Sequence, residues 1–199
     1  KLIEIPFKKV ADSLWVIPSK KLADNVYYYW FKVQDGRLNT TTHQYIYVTD
    51  PFAKAIERKV EISHLKKEVT QDFYAYASVI LCKKGKLIFC NENGEKINIK
   101  DSDNLPNNRS LVLYELPTRW TKIKKYGQKE TGEGQFNDVK ALSNYLQDLG
   151  VNALQLLPPA DSDQIFEWGY GTSHFFTADS DLGGINQFQE LMNMCKTKG

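Results

Sequence analysis

Cysteine is scarce in this chain, three among 199 residues, and an odd count so small excludes a closed disulfide framework. Cys82 and Cys90 flank Lys84-Gly85, and a hairpin turning there pairs Cys82 with Leu87 and Cys90 with Val79, which puts the two sulfurs on opposite faces. Free thiols are expected. Histidine is equally sparse: His43, His64 and His174 are scattered, and no Cys/His spacing fits zinc, so no metal and no cofactor are expected. No apolar run approaches the roughly 18 residues of a spanning helix, and the N-terminus lacks the basic-then-apolar pattern of a secretory signal. This predicts a soluble chain without membrane insertion, cytoplasmic or exported with a signal already removed. An excess of one charge is also missing. Lys plus Arg number 26 against 24 Asp plus Glu, a net charge of +2 that provides no field to gather nucleic acid. The basic clusters Lys20-Lys21, Lys83 to Lys86 and Lys122 to Lys125 read as solvated turns.

What remains is an ordinary globular composition, 42% hydrophobic and 25% charged, arranged in two halves with different periods. Up to about residue 100 short aromatic and β-branched runs alternate with turn residues. They predict strands over Leu14–Ile17, Asn25–Gln34, Gln44–Thr49, Phe73–Cys82, Lys86–Asn91 and Lys96–Lys100. Asp35-Gly36, Lys84-Gly85 and Asn93-Gly94 supply the turns, the last as a type I′ pair, so that residues 73–100 form a three-stranded meander. Lys54–Lys67 adds a helical turn or a long connection. So many short antiparallel strands bury their apolar faces on one another, which predicts a β-sandwich over residues 1–105.

The polar stretch Asp101–Ser110 marks a boundary, and from residue 110 to 199 strand and helix alternate. Leu111–Leu116 reads as a strand covered on both faces. Val139, Leu142, Tyr145, Leu146 and Leu149 recur at helical spacing, with Asn137 or Asp138 as the starting cap and Gly150 as the stop. Ala153–Leu157 is a second buried strand, and Ile185, Phe188, Leu191, Met192 and Cys195 form a second helical stripe. The order β-α-β-α implies parallel strands, two units of an architecture that needs eight to close.

Three stretches of this second half carry a family resemblance. Leu111 to Trp120 (LVLYELPTRW) is followed by Gly134-Gln135-Phe136-Asn137-Asp138, running through Leu149-Gly150-Val151 to Pro158-Pro159, and then by Trp168-Gly169-Tyr170. In this order and spacing they resemble the opening of the catalytic barrel of the α-amylase family of glycoside hydrolases: a Tyr-Glu strand followed by an aromatic, a G-x-F approach to the first helix, an LGV before a strand ending in Pro, and a WGY. Asp50-Pro51-Phe52-Ala53-Lys54-Ala55 is similar to the DPYA segment that closes the immunoglobulin-like domain preceding many such barrels, a domain often like a carbohydrate-binding module. The first-strand motif departs from the family, with Leu-Pro-Thr-Arg-Trp where many members have His and Phe.

The resemblance implies a multidomain β plus α/β fold, an immunoglobulin-like sandwich followed by an incomplete (β/α)8 barrel. It further implies that the parent enzyme acts on α-glucans by a retaining mechanism, with its nucleophile and acid/base on later strands. This chain would then hold no catalytic residue and be inactive alone, its partners an α-glucan and the remainder of the barrel. Tyr170 is implied as a sugar contact, set against plain loop packing; Trp168 is a substrate-binding candidate in the same motif, with loop packing as its favoured alternative, and Gly169 is needed for backbone shape. Trp15 and Trp30 are candidates for a glucan platform, set against ordinary packing of alternate strand residues.

Among the acids, Glu115 is expected to hydrogen-bond within the strand layer, and Asp161 and Asp163 to lie exposed in a polar loop. His174 beside Ser173 suggests a triad, which is set aside because no acid is evident to orient the ring. The alternative from a different functional class is a stand-alone carbohydrate-binding or interaction protein without catalysis.

Overall fold

A computed structural model describes residues 3–17, 22–34, 45–57, 76–99, 105–122, 133–162 and 168–199. These residues are mostly β with few helices. The first part contains β1 (Lys8–Ala11), β2 (Leu14–Val16), β3 (Asn25–Tyr29), β4 (Phe31–Gln34), β5 (Tyr45–Val48), β6 (Ile56–Glu57), β7 (Ala77–Lys83) and β8 (Lys86–Ile88). The second part contains β9 (Leu113–Leu116), α1 (Phe136–Ala141), α2 (Ser143–Asp148), β10 (Ala153–Leu156), β11 (Ala160–Ser162), β12 (Thr172–Ala178) and α3 (Gly184–Lys198). No helix among them is long and apolar enough to cross a membrane.

β7 organises the first part. One edge pairs antiparallel with β3, from Asn25↔Cys82 to Tyr29↔Ser78, and the other edge is shared by β6 and β8. The strand predicted over Asn25–Gln34 is two strands separated at Trp30, with β4 turning to pair with β5. Asp50 explains how the chain leaves β5. Its Oδ2 accepts the Tyr29 hydroxyl at 2.7 Å, its Oδ1 accepts the Phe52 N–H at 2.8 Å, and its own N–H donates to Ser78 Oγ at 2.9 Å. The resulting turn delivers Ala53 and Ala55 to the interior. Burial beside Asp50 pushes the Tyr29 phenol well above its ordinary range.

The turn at Lys84-Gly85 has both residues at positive φ, 51° and 70°, as a tight hairpin requires. At Asn93-Gly94 only the glycine does, which corrects the type I′ expectation. Asn91 closes a wider turn there, its Oδ1 accepting the N–H groups of Asn93 and Glu95. The third strand of the meander is reduced to a single Cys90↔Lys96 bridge, because the Asn98 N–H that a ladder would use donates to Gln189 Oε1. The Asp35-Gly36 turn and residues 58–67 lie outside the described residues. Cys82 faces Leu87 as expected, and Cys82, Cys90 and Cys195 are free thiols.

In the second part β9 and β10 pair parallel, Leu113↔Ala153 through Leu116↔Leu156, as the alternation predicted. β9 is not covered on both faces. Leu113 is 52% exposed, and only Leu116 at its end is buried. Among the described residues β9 pairs only with β10, and of its residues only Leu116 joins the core cluster with residues of α1 and α3. α1 begins at Gln135 rather than at Asn137 or Asp138. Asp138 returns to accept the Gln135 N–H at 2.7 Å, while the free N–H groups of Phe136 and Asn137 go to Leu182 O and Gln187 Oε1. Gly150 ends α2 as predicted: its N–H donates to Gln147 O and the Val151 N–H to Leu146 O, a Schellman closure.

One core joins the two parts. Ala55, Val79 and Cys90 cluster with Leu116, Phe136, Val139, Leu182, Ile185 and Leu191. The contact is tied by Glu92, whose Oε1 accepts the Ile185 N–H at 2.6 Å in the first turn of α3, and by Asn91 Nδ2 donating to Asn186 Oδ1. A carboxylate there completes an otherwise unsatisfied helix start.

Candidate functional site

The C-terminal ends of β9 and β10 lie side by side, and the chain that leaves each one meets the other over a small open recess lined by Thr118, Arg119, Trp120, Pro158, Trp168 and Asp179 among others. Strand ends in a parallel sheet are where loops gather side chains without disturbing the ladder. Pro117 turns the chain out of β9 into a short 3-10 turn, Thr118–Trp120. Gly134 allows the approach to α1 to touch this turn: its N–H donates to Arg119 O, and a Cβ there would lie 2.4 Å from Thr118 O. The G-x-F spacing therefore has a packing reason, since Phe136 two residues on is fully buried against Phe188 with ring centroids 5.0 Å apart.

Arg119 is the electrostatic centre. Its side chain is only 11% exposed and pairs with Asp179, Nη2 to Oδ2 at 2.9 Å, and through Nη1 with Glu133. Asp179 is fully buried; burial pushes its carboxyl up to about 6, against the opposing pull of the Asp181 N–H and the Arg119 charge. The Thr118 hydroxyl is buried and has no hydrogen-bond partner among the described residues.

The aromatic rim consists of residues the sequence singled out and one it did not. Trp168 and Tyr170 are 54% and 68% exposed in the connection between β11 and β12, and of the two Trp168 lines the recess. Trp168 has φ of 54°, a conformation that costs a bulky residue, and Gly169 has φ of 89° with a Cβ position 2.4 Å from Pro158 O. The expectation that Gly169 serves the backbone shape is met. Trp120, 68% exposed, stands edge-to-face with Trp168, centroids 5.6 Å apart at 78°. Sequence reading treated Trp120 only as part of a motif; its exposure and its partner 48 positions away are properties of the folded chain.

Trp15 is 56% exposed on β2, whereas Trp30 is half-buried between β3 and β4, its Nε1 without a partner among the described residues.

The acids differ most from expectation. Glu115 is exposed, and its carboxylate makes no hydrogen bond among the described residues. Asp163 lies outside the described residues. Asp161, expected in a solvated loop, is fully buried in β11, where pairing with β12 covers it. Its Oδ2 lies 2.8 Å from His174 Nδ1, so an acid does orient this imidazole. The reason sequence missed it is that the pair forms only across the β11–β12 hairpin, whose irregular register sets Asp161 opposite His174. Ser173, next to His174 on the same strand, points away from it, and no triad results. Among the described residues no group of His, Cys, Asp and Glu is placed to hold a metal ion.

No family model matches the chain. Similarity is found to the malto-oligosyltrehalose trehalohydrolase of Saccharolobus solfataricus, 35% identical over 83 residues that cover 42% of this chain and 13% of that protein. The 1,4-alpha-glucan branching enzyme of Halothermothrix orenii is 25% identical over 98% of this chain and 27% of its own length. Chloroplastic isoamylase 3 of Oryza sativa subsp. japonica is 25% identical over 74% of this chain and 20% of its own length. The fold is similar to that of the GBS pullulanase SAP, solved in complex with maltotetraose, with a TM-score of 0.57 and 18% identity over 87% of this chain and 23% of that one. The chain thus spans about a quarter or less of the curated relatives' length. The ordered motifs resemble those of the α-amylase family of glycoside hydrolases, and these relatives, all α-glucan-active enzymes by name, support that resemblance.

Proposed function

We propose that this chain is the front part of an α-glucan-active glycoside hydrolase, with residues 1–105 as an immunoglobulin-like, carbohydrate-binding-module-like domain and residues 110–199 as the first units of a (β/α)8 barrel. The observation that carries this reading is the parallel β9–β10 pair, crossed by α1 and α2, with Trp168-Gly169-Tyr170 set beyond the strand ends. That is the face on which barrel enzymes build their active sites. Tyr170 offers an exposed ring that suits the C–H face of a pyranose, and Trp168 stands beside it. The paired carboxyls of a retaining mechanism, about 5 Å apart, come from other parts of the parent enzyme. Asp179 and Asp161 are committed to Arg119 and His174, and both are fully buried. Completion of the barrel by further strands would cover the exposed faces of Leu113 and Tyr114.

Two assays test this. The purified chain should release no reducing sugar from glycogen or starch; sustained, concentration-dependent hydrolysis would refute the placing of the chemistry outside it. Titration with a seven-glucose maltooligosaccharide should saturate. Loss of that binding in Tyr170→Ala puts part of the cleft here, whereas loss in Trp30→Ala assigns it to the first domain.

A further inference from the structure

Trp120 and Trp168 stand almost perpendicular, both more than half exposed, with one indole edge against the other's face. Tryptophan is on average a highly buried residue, so two exposed neighbours at the mouth of one recess need an account. Trp168 is also held in the left-handed region, where a bulky side chain is strained, and such strain clusters at ligand clamps and active sites. Its position is enforced by Gly169, which has no room for a Cβ beside Pro158, and that of Trp120 by the preceding residue, Arg119, clamped between Asp179 and Glu133.

We propose that Trp120 and Trp168 form a right-angled corner that holds one pyranose ring of an α-glucan, a subsite distinct from the contact with Tyr170. The proposal rests on the α-glucan reading above and adds to it a second ring contact and a preference for linkage shape. One indole face receives the axial C–H face of the ring, since its electron-rich surface favours polarised C–H groups, and the second wall limits the ring's edge. Charged groups stand next to the corner: Arg119 lines the recess, and its partner Glu133 has a carboxylate 43% exposed and open to a sugar hydroxyl. Coplanar aromatic rings suit a flat β-glucan ribbon. Two walls at 78° suit a chain whose successive rings turn, as α-1,4 linkages make them do.

The test is calorimetric titration of the 199-residue chain with maltoheptaose and with cellohexaose, using wild type, Trp120→Ala, Trp120→Tyr, Trp168→Phe, Tyr170→Ala and, as a control away from the recess, Trp15→Ala. Wild type should bind maltoheptaose and not cellohexaose. Trp120→Ala should weaken maltoheptaose about tenfold or more, Trp120→Tyr and Trp168→Phe by less, and Trp15→Ala by no more than about twofold. Trp120→Tyr keeps a ring at this exposed position, so its graded loss separates a lost contact from a lost fold. If Trp120→Ala and Trp168→Phe bind as wild type while Tyr170→Ala does not, the corner is refuted and the α-glucan reading stands. Absence of saturable wild-type binding at millimolar sugar defeats both.

Discussion

Replacing Arg119 by methionine should destabilise the protein in a way that depends strongly on pH, because its partner Asp179 is buried and titrates within reach of ordinary buffers. Asp179 is fully buried, and its carboxyl is pushed up to about 6 from an ordinary value of 3.8. The native state therefore binds this proton more tightly than the unfolded chain does. The contribution of the group to stability is complete below about pH 4 and is lost as pH rises through about 6, some 3 kcal/mol in all. Arg119 limits that loss by compensating the carboxylate. Without it the carboxyl titrates higher still, so above pH 6 the variant forfeits the ionised pair that the wild type keeps, and breaking such a pair costs about 3–5 kcal/mol. Glu133, the other partner of Arg119, is 43% exposed and adds little because solvent screens it.

Below pH 6 Asp179 is protonated with or without the guanidinium, and the electrostatic cost of the substitution disappears. Near pH 5 the substitution should cost about 1 kcal/mol, for the lost hydrogen bonds and the packing of the arginine stem. Near pH 8 it should cost about 3–5 kcal/mol. Urea unfolding of wild type and Arg119→Met, followed by tryptophan fluorescence at both pH values, measures the difference, and comparison at equal pH cancels the titration of every uninvolved group. Equal costs at the two pH values, to within about 0.5 kcal/mol, would show that Asp179 is not the charge that Arg119 compensates.

Two further substitutions test the supports of the site. Gly169→Ala adds a Cβ 2.4 Å from Pro158 O at a φ of 89°, whereas Gly150→Ala meets open space at a φ of 80°. Thermal melts should place the second at about 1 kcal/mol and the first well above it, with a change in Trp168 emission for Gly169→Ala alone. Phe136→Ala removes a fully buried ring from the shared core and should cost about 3–5 kcal/mol in denaturant unfolding; a cost under about 1.5 kcal/mol would mean that the core does not depend on this contact between α1 and α3.

Local and near-neighbour signals carried much of this protein's structure. The parallel β9–β10 pair, the stop at Gly150, the turn at Lys84-Gly85 and the helical stripe from Ile185 to Cys195 each follow from periodicity, positive-φ tolerance or apolar spacing within a few residues. The motif order that resembles the α-amylase family is likewise a property of the chain read along its length. What the sequence could not determine is which donors and acceptors meet across long separations. The third meander strand gave way because Asn98 found Gln189, α3 is capped by Glu92, and Asp161 is buried because β12 folds back over it. The recess follows the same rule. Arg119, Glu133 and Asp179, with Trp120 and Trp168, converge only when β9 and β10 lie in register, because a site at strand ends is assembled from loops that the chain itself keeps far apart.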